Sequence, residues 1–231
     1  MPESHVAEWC TALPATCLPA MHARATWTDS IARQMTIAAA AGRNVIWDFD
    51  GTIADTEHLH EESFRAVLAV RGFHVPDDYF EVNFGGSEEA IWLTLRDVHG
   101  APIDEIADVV AERKDVYATL AQQVEPGWLV EDLAPAFEQV GAVQYVISNG
   151  QHDTNADLIR RFGFHDLLRS VNRGTRDKSD FYPELRPAVI LDDRSHYLGR
   201  GRTLGALTVG VHNNRNRGAQ LGADVTVDIA A

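Results

Sequence analysis

The chain has 231 residues, 45% of them hydrophobic, and a formal net charge of -14. This length can bury one complete core and a smaller inserted domain, and no apolar run is long enough to span a bilayer. The negative charge disfavours binding to nucleic acids and anionic membranes, because their phosphate groups would be repelled. A small phosphorylated metabolite remains compatible as a partner, since a bound cation and one basic side chain dominate the field at close range.

The N-terminal segment, residues 1–43, contains a predicted helix that follows a cap at Ser30 and ends before Gly42. It lacks a basic stretch followed by an uninterrupted apolar run, which predicts no secretory signal and a cytoplasmic location. The only two cysteines, Cys10 and Cys17, have no partners at a spacing typical of a zinc site. The segment could pack on the core or on a second subunit, so a homodimer is left open.

Two carboxylates follow a short apolar run in the sequence Asn-Val-Ile-Trp-Asp-Phe-Asp-Gly-Thr, residues 44–52. Residues 45–47 predict a buried strand of a parallel sheet. Asp48 and Asp50 would then lie at the carboxyl end of this strand, where open α/β sheets bind their ligands. Gly51 would let the backbone turn sharply.

A stretch with helical periodicity follows, at residues 55–126, and predicts three helices, the second capped by Ser87 and the third opening at Pro102. It holds 16 acidic and 5 basic side chains, a net charge of -11. This charge is typical of a solvated surface and would disfavour a polyanionic ligand. Gly85, Gly86 and Ser87 form a turn that could contact a ligand at a helix N-terminus or be an ordinary loop.

Polar groups also follow the second predicted strand, residues 143–147. Ser148 and Asn149 come directly after it, and their hydroxyl and amide groups can donate hydrogen bonds to a phosphoryl oxygen. A short third strand is predicted at residues 168–172. Beyond it lies Lys178, the only lysine outside the helical stretch.

Two adjacent acids, Asp192 and Asp193, end a further buried run at residues 188–191. Neighbouring carboxylates repel one another, and a hard cation such as Mg²⁺, which prefers oxygen ligands, would relieve that repulsion. The remaining predictions are strands at residues 207–211 and 223–229 and a surface loop with His212, Arg215 and Arg217.

These four motifs, in this order at strand ends, resemble those of the haloacid dehalogenase-like (HAD) phosphohydrolases. The resemblance covers about residues 44–227 and is to the phosphatase type with an α-helical cap, as in phosphoglycolate phosphatases and β-phosphoglucomutases. It implies an α/β fold, with a Rossmann-like parallel sheet core and an inserted α-helical cap. The implied limits are a leader at 1–43, a core at 44–54 and 127–231, and a cap at 55–126.

The resemblance also implies a Mg²⁺-dependent phosphatase. Asp48 would be the nucleophile that forms an aspartyl-phosphate, Asp50 the general acid and base, and Lys178 a positive charge bridging nucleophile and phosphoryl group. Because only 13 residues separate Lys178 from the next motif, the usual helix there would be trimmed to a turn or two. Arg173 or Arg176 could replace the lysine if that loop is rearranged.

The implied ligand sets follow the same motifs. The expected phosphate or substrate contacts are Gly51, Thr52, Ser148, Asn149, Gly85, Gly86 and Ser87. The expected magnesium ligands are Asp48, Asp50 and Asp193, with Asp192 acting indirectly or through water, and the order of the last two is left open.

Three functions are weighed. A hydrolase would release phosphate from a small sugar, polyol or hydroxy-acid phosphate. The remaining part of that substrate would contact the first helix of the cap and the turn at residues 85–87, with His58, His60 and Trp92 as weaker candidates. A phosphomutase of the β-phosphoglucomutase type would need phosphate-binding cations in the cap, and a non-enzymatic scaffold would use residues 1–43 as an interaction arm. Dehalogenases and phosphonoacetaldehyde hydrolases are disfavoured, because they carry an aromatic residue or an alanine where this chain has Asp50.

Overall fold

The computed structural model describes residues 24–80 and 88–229 of the chain. Their centre is one six-stranded sheet, parallel throughout, with the strand order β3-β2-β1-β4-β5-β6. The strands are β1 (Asn44–Trp47), β2 (Val143–Val146), β3 (Leu168–Ser170), β4 (Val189–Asp192), β5 (Leu207–His212) and β6 (Val225–Asp228). The predicted parallel α/β sheet is confirmed.

Helices precede, interrupt and flank this sheet. In chain order they are α1 (Arg24–Thr28), α2 (Ile31–Ala40), α3 (Glu57–Ala69), α4 (Glu88–Asp97), α5 (Ile106–Leu120), α6 (Trp128–Gln139), α7 (His152–Arg161), α8 (Tyr182–Leu185) and α9 (Ser195–Thr203), with 3-10 turns at Ala121–Gln123 and Lys178–Phe181. No helix in this part of the chain is both long and apolar enough to cross a bilayer.

The first strand lies in the middle of the sheet. Ile46 of β1 is in register with Tyr145 of β2 on one side and with Ile190 of β4 on the other. Because the strands are parallel, the carboxyl ends of β2, β1 and β4 meet at one edge. The residues that follow these three strands are therefore brought together.

Alternate side chains of β1 enter different cores, as expected for a strand covered on both faces. Val45 and Trp47 belong to the large apolar core that also includes residues of α6. Ile46 belongs to a smaller cluster on the opposite face, with Ile190 and Tyr182. The sheet is thus packed on both faces in the described part of the chain.

The helices α3, α4 and α5 form an insert between β1 and β2, with an apolar cluster of its own that includes Phe64, Phe80 and Trp92. The third of these helices begins at Ile106, and not at Pro102 as predicted. Ala101 and Ile103 are buried in a loop before it, and this packing competes with an earlier helix start. The exact domain limits taken from the sequence stay a prediction.

The predicted leader helix is present as α2. The Ser30 side chain accepts a hydrogen bond from the N–H of Arg33, and Gly42 follows with a φ of 65°. Trp27, just before α2, is fully buried and its indole N–H donates to Asp132 of α6, at 2.9 Å. These helices are packed on the large core.

Candidate active site

Three strand ends supply the polar groups at the open edge of the sheet. Asp48 and Asp50 follow β1, Ser148 follows β2, and the pair formed by Asp192 and Asp193 ends β4. These strands are neighbours in the order β2-β1-β4, which explains why motifs distant in sequence meet here.

The ammonium group of Lys178 lies between two of these carboxylates. Its Nζ is 2.9 Å from Oδ2 of Asp48 and 2.7 Å from Oδ2 of Asp192, and its side chain is 2% exposed. Burial alone would lower the pKa of Lys178, but the charges of Asp192 and Asp48 raise it above its ordinary value. Lys178 is therefore held as a cation beside the predicted nucleophile.

The two arginines considered as substitutes for the lysine lie elsewhere. The guanidinium of Arg173 donates to the carbonyl oxygens of Ser148 and Asn149. The guanidinium of Arg176 contacts Glu184, at 2.6 Å. The geometry brings only Lys178, of these three residues, to Asp48. The connection to β4 is indeed trimmed, to the 3-10 turn and α8.

Asp48 is buried, with an exposed fraction of 5%. Burial raises its pKa well above the ordinary value, the charge of Lys178 opposes this, and the carboxylates of Asp192 and Asp193 add to the rise. The anionic form of this side chain is thus destabilised, and Lys178 alone does not provide enough positive charge to restore it. A divalent cation would supply it.

The cluster able to hold such a cation consists of Asp48, Asp192 and Asp193, whose nearest carboxylate oxygens all lie within 4.8 Å of one another. Both oxygens of Asp192 already accept bonds, from Lys178 and from the N–H of Arg194. The buried Oδ1 of Asp193 accepts no hydrogen bond, and its nearest cation is the guanidinium of Arg194, with Nε at 3.4 Å. Burial raises the pKa of Asp193 to about 7, against the opposing charge of Arg194.

This donor set fits Mg²⁺, which prefers carboxylate oxygens and water. Oδ1 of Asp193 accepts no hydrogen bond, which favours Asp193 as a direct ligand, whereas the two hydrogen-bonded oxygens of Asp192 favour an indirect role. The carboxylate of Asp50 lies outside the cluster, so its predicted place among the metal ligands gains no support from the positions of the side chains.

Asp50 faces the helical insert instead. Its Oδ1 accepts hydrogen bonds from Thr56, at 2.7 Å, and from the hydroxyl of Tyr117, at 3.2 Å, and lies 3.2 Å from Nε2 of His60. Its Oδ2 accepts from the hydroxyl of Ser148, at 2.8 Å. Burial would raise the pKa of Asp50, but contact with His60 and these hydrogen bonds lower it below the ordinary value.

The predicted phosphate contacts of the second motif already have partners within the protein. The hydroxyl of Ser148 donates to Asp50, and the amide of Asn149 donates to the hydroxyl of Tyr197. Both residues line the cavity described below. Their role as phosphate ligands stays a prediction, and it would require these side chains to exchange partners when phosphate binds.

Gly51 has a structural reason to be glycine. Its φ is 75°, and a Cβ there would lie 2.8 Å from Oδ2 of Asp193 and still closer to the amide of Asn213. Thr52 is fully buried and its hydroxyl has no hydrogen-bond partner in the described residues. The remaining predicted contacts, Gly85, Gly86 and Ser87, lie outside those residues.

Several residues of the site were not predicted from the sequence. Asn213 donates to Oδ2 of Asp193, at 3.0 Å, and to the carbonyl oxygen of Gly51, at 3.1 Å. Asn216 donates to the carbonyl oxygen of Asp193. The available signal in the sequence was the pair Asn213-Asn214, which follows the strand next to the one that ends in Asp192 and Asp193. Amide groups can donate hydrogen bonds to carboxylates at strand ends.

The predicted surface loop at 212–217 was partly wrong. His212 is the buried last residue of β5, because this strand runs one residue further than predicted. Arg215 and Arg217 are exposed, as predicted, and the guanidinium of Arg215 donates to the carbonyl oxygen of Phe80 in the insert. Of the weaker substrate candidates, His60 reaches Asp50, whereas Trp92 is buried in the insert and His58 is exposed.

A cavity of about 620 Å³ lies between the sheet edge and the insert. Its wall on the sheet side includes Asp48 and Lys178, and its wall on the insert side includes His60, Phe64 and Arg113. This volume is that of a site for a small molecule. The carboxylates and the insert therefore line the same cavity.

The family profile for "Haloacid dehalogenase-like hydrolase" matches residues 45–179, more than half of the chain. The chain belongs to the haloacid dehalogenase-like hydrolases. The resemblance drawn from the four motifs is thereby confirmed, as is the prediction of a hydrolase of this family. No curated protein matches it in sequence.

Solved structures of other proteins share the fold of this haloacid dehalogenase-like hydrolase. CbbY from Rhodobacter sphaeroides, in complex with phosphate, is 20% identical with a TM-score of 0.67, over 80% of this chain and 92% of that one. A β-phosphoglucomutase from Clostridium difficile is 17% identical, with a TM-score of 0.62, over 81% and 91%. A predicted phosphoglycolate phosphatase from Haemophilus somnus is 12% identical, with a TM-score of 0.65, over 80% and 93%.

Proposed function

We propose that the chain is a Mg²⁺-dependent phosphatase of small phosphate monoesters, working through an aspartyl-phosphate on Asp48. The observation that carries this proposal is the position of Asp48, 2.9 Å from Lys178 and within the carboxylate cluster that includes Asp193. A nucleophilic carboxylate beside a fixed cation is the arrangement that attack on a phosphoryl group requires. Membership of a hydrolase family and structural likeness to phosphatases support it.

In the first half of the reaction, a carboxylate oxygen of Asp48 forms a bond to phosphorus while the bond to the leaving alcohol breaks. The leaving oxygen takes its proton from Asp50, which is held beside Asp48 by Thr56 and Ser148. Asp50 is ionised in the free protein because its pKa is lowered. A phosphate dianion in the site favours its protonated form, since like charges repel.

In the second half, Asp50 accepts a proton from water, and the resulting hydroxide attacks phosphorus. The bond between phosphorus and Asp48 breaks, and the products are inorganic phosphate and free carboxylate. Lys178 balances the charge of Asp48 and of the phosphoryl oxygens in both halves. Mg²⁺, when bound by Asp48 and Asp193, supplies further neutralisation of negative charge on the phosphoryl group.

A phosphomutase uses the same core and is the second candidate. It needs cations in the cap for a second phosphate, and the contacts of the insert disfavour this. Arg65 pairs with Glu61, Arg71 with Glu112, Arg96 with Asp97 and Arg113 with Glu88. Lys114, the remaining cation of the insert, is exposed and does not line the cavity. Incubation with glucose 1-phosphate and its bisphosphate separates the two functions, because formation of the isomer without free phosphate would reject the phosphatase.

The test of the proposed function is phosphate release from p-nitrophenyl phosphate with Mg²⁺. The variant Asp48→Asn should lose on the order of a thousandfold or more in kcat. The matched control is Asp153→Asn, because the Asp153 side chain is 99% exposed; it should keep wild-type activity. Normal turnover by a folded Asp48→Asn protein would reject Asp48 as the nucleophile.

A further inference from the structure

Glu57 is a cavity residue that the catalytic steps above do not use. It is the first residue of α3, its exposed fraction is 4%, and it lines the cavity. Its Oε1 accepts a hydrogen bond from Arg194, at 2.8 Å. Its Oε2 is buried and has no hydrogen-bond partner among the described residues. An unpaired buried carboxylate oxygen is unfavourable, so a ligand that donates a hydrogen bond to it would be favoured.

The positive charges of the cavity are already balanced. In the described part of the chain, each lysine or arginine that lines the cavity contacts a carboxylate. Residues 1–23, 81–87 and 230–231, which lie outside that part, contain neither lysine nor arginine. The pairs are Lys178 with Asp48 and Asp192, Arg194 with Glu57 and Asp193, and Arg113 with Glu88.

This balance limits the charge of the ligand. A second phosphate or a carboxylate on the substrate would need a cation that is free to pair with it. It would also lie near the carboxylates of Glu57 and Glu88, which would repel it. The site therefore suits one phosphoryl group attached to an uncharged remainder.

We infer that the substrate is the phosphate monoester of a polyhydroxy alcohol, a polyol or sugar, and that Oε2 of Glu57 accepts a hydrogen bond from one of its hydroxyl groups. The carbon skeleton would pack on Phe64 and Ile91, which line the same cavity. This inference rests on the proposed function and narrows it, because it excludes hydroxy-acid phosphates and bisphosphates. Glu57 is thus a specificity-determining residue.

The test compares kcat/KM for four esters in Mg²⁺: sorbitol 6-phosphate, 3-phosphoglycerate, fructose 1,6-bisphosphate and p-nitrophenyl phosphate. The wild-type protein should prefer sorbitol 6-phosphate to 3-phosphoglycerate and to the bisphosphate by about tenfold or more. Glu57→Gln keeps an oxygen for Arg194 and removes the charge. This variant should lower kcat/KM for sorbitol 6-phosphate about tenfold more than kcat/KM for p-nitrophenyl phosphate. The ratio of kcat/KM for sorbitol 6-phosphate to kcat/KM for 3-phosphoglycerate should also fall.

The matched control is Glu61→Gln, because Glu61 lies one turn further along α3, pairs with Arg65 and does not line the cavity. It should keep the wild-type ratios. Should Glu57→Gln fail to fold by circular dichroism, Glu57→Asp replaces it, since the shorter side chain withdraws the carboxylate and should change the ratios in favour of p-nitrophenyl phosphate.

Two results would overturn the inference alone. One is a wild-type preference for 3-phosphoglycerate or the bisphosphate, and the other is a folded, active Glu57 variant with wild-type ratios. Phosphate release from none of the four esters would instead reject the proposed function, and the inference with it. The p-nitrophenyl phosphate assay, which needs no contact with Glu57, separates these cases.

Discussion

The ring of Tyr197 lies against the ammonium group of Lys178, whose Nζ is 4.1 Å from the ring centroid. The hydroxyl of Tyr197 donates to Oδ2 of Asp177, at 3.0 Å, and accepts from the amide of Asn149. One side chain of α9 therefore joins the end of β2 to the segment that carries the lysine. The face of an aromatic ring attracts a cation, although the ring itself carries no formal charge.

Replacing Tyr197 by Phe should slow the reaction moderately. The ring would stay under Lys178, but Asn149 and Asp177 would lose a shared partner, and we expect kcat to fall about fivefold, as for one hydrogen bond of ~1 kcal/mol. Tyr197→Leu should cost more, because the ring is lost too. The measurement is kcat and KM for p-nitrophenyl phosphate, with Tyr145→Phe, on β2 outside the cavity wall, as control. Equal kcat for all these proteins would contradict the role of Tyr197.

Adding a methyl group at Gly150 should impair catalysis through Asp50. A Cβ at Gly150 would lie 2.5 Å from Oδ2 of Asp50, so the carboxylate must move from its place beside Ser148. We expect kcat to fall about 10- to 100-fold, since a displacement of about 1 Å can have that effect. Gly199→Ala in α9 is the control, because nothing lies within 4 Å of a Cβ there. A Gly150→Ala protein with unchanged kcat would show that Asp50 tolerates the displacement.

Magnesium should stabilise the folded protein, and Asp193 should be required for this. A ligand that binds only the folded state raises the free energy of unfolding, and with it the melting temperature, by an amount that grows with the logarithm of its concentration relative to Kd. We expect a rise of the melting temperature on adding millimolar Mg²⁺, its reversal by a chelator, and no rise for Asp193→Asn. Differential scanning calorimetry measures all three, with Asp153→Asn responding like the wild type. A full response of Asp193→Asn would place the ion elsewhere.

Loss of Asp132 should destabilise the fold and leave the chemistry intact. Its carboxylate accepts from the guanidinium of Arg33, at 2.7 and 2.9 Å, and from the buried indole of Trp27. Asp132→Ala would leave the indole N–H without a partner, and we expect ~2–4 kcal/mol less free energy of unfolding. Urea denaturation measures this, and kcat of the folded fraction should not change. Asp157→Ala, which removes an exposed pair with Arg160, should have almost no effect.

The sequence predicted the fold well wherever one local pattern was enough. Each predicted strand is present within a few residues, because short runs of apolar and β-branched residues bounded by turn residues favour buried strands. Lys178 could be singled out because lysine is scarce in the core. Its distance to Asp48 could not be predicted, since that depends on how the turn before β4 folds.

Other parts of the site depend on contacts between distant segments. The bond from Asn213 to Gly51 spans 162 residues, and Arg194 meets Glu57 across 137. Residues such as Asn213 and Arg215 look like ordinary loop residues in the sequence, because polar residues in loops are most often solvated. The burial of Asn213 and the contact of Arg215 with the insert become evident only when β5 is placed beside β4 and the insert covers the edge.

The distance along the chain between Asp132 and its partners Trp27 and Arg33 affects when these residues can pair during synthesis. Their partner Asp132 follows them by 105 and 99 residues respectively. At about 5–20 residues per second, the ribosome needs roughly 5–20 s to make that intervening chain. Until then the indole of Trp27 is an exposed apolar surface on the nascent chain. We expect chaperone binding, or association between neighbouring nascent chains, to compete during this interval with the packing of α2 on the large core.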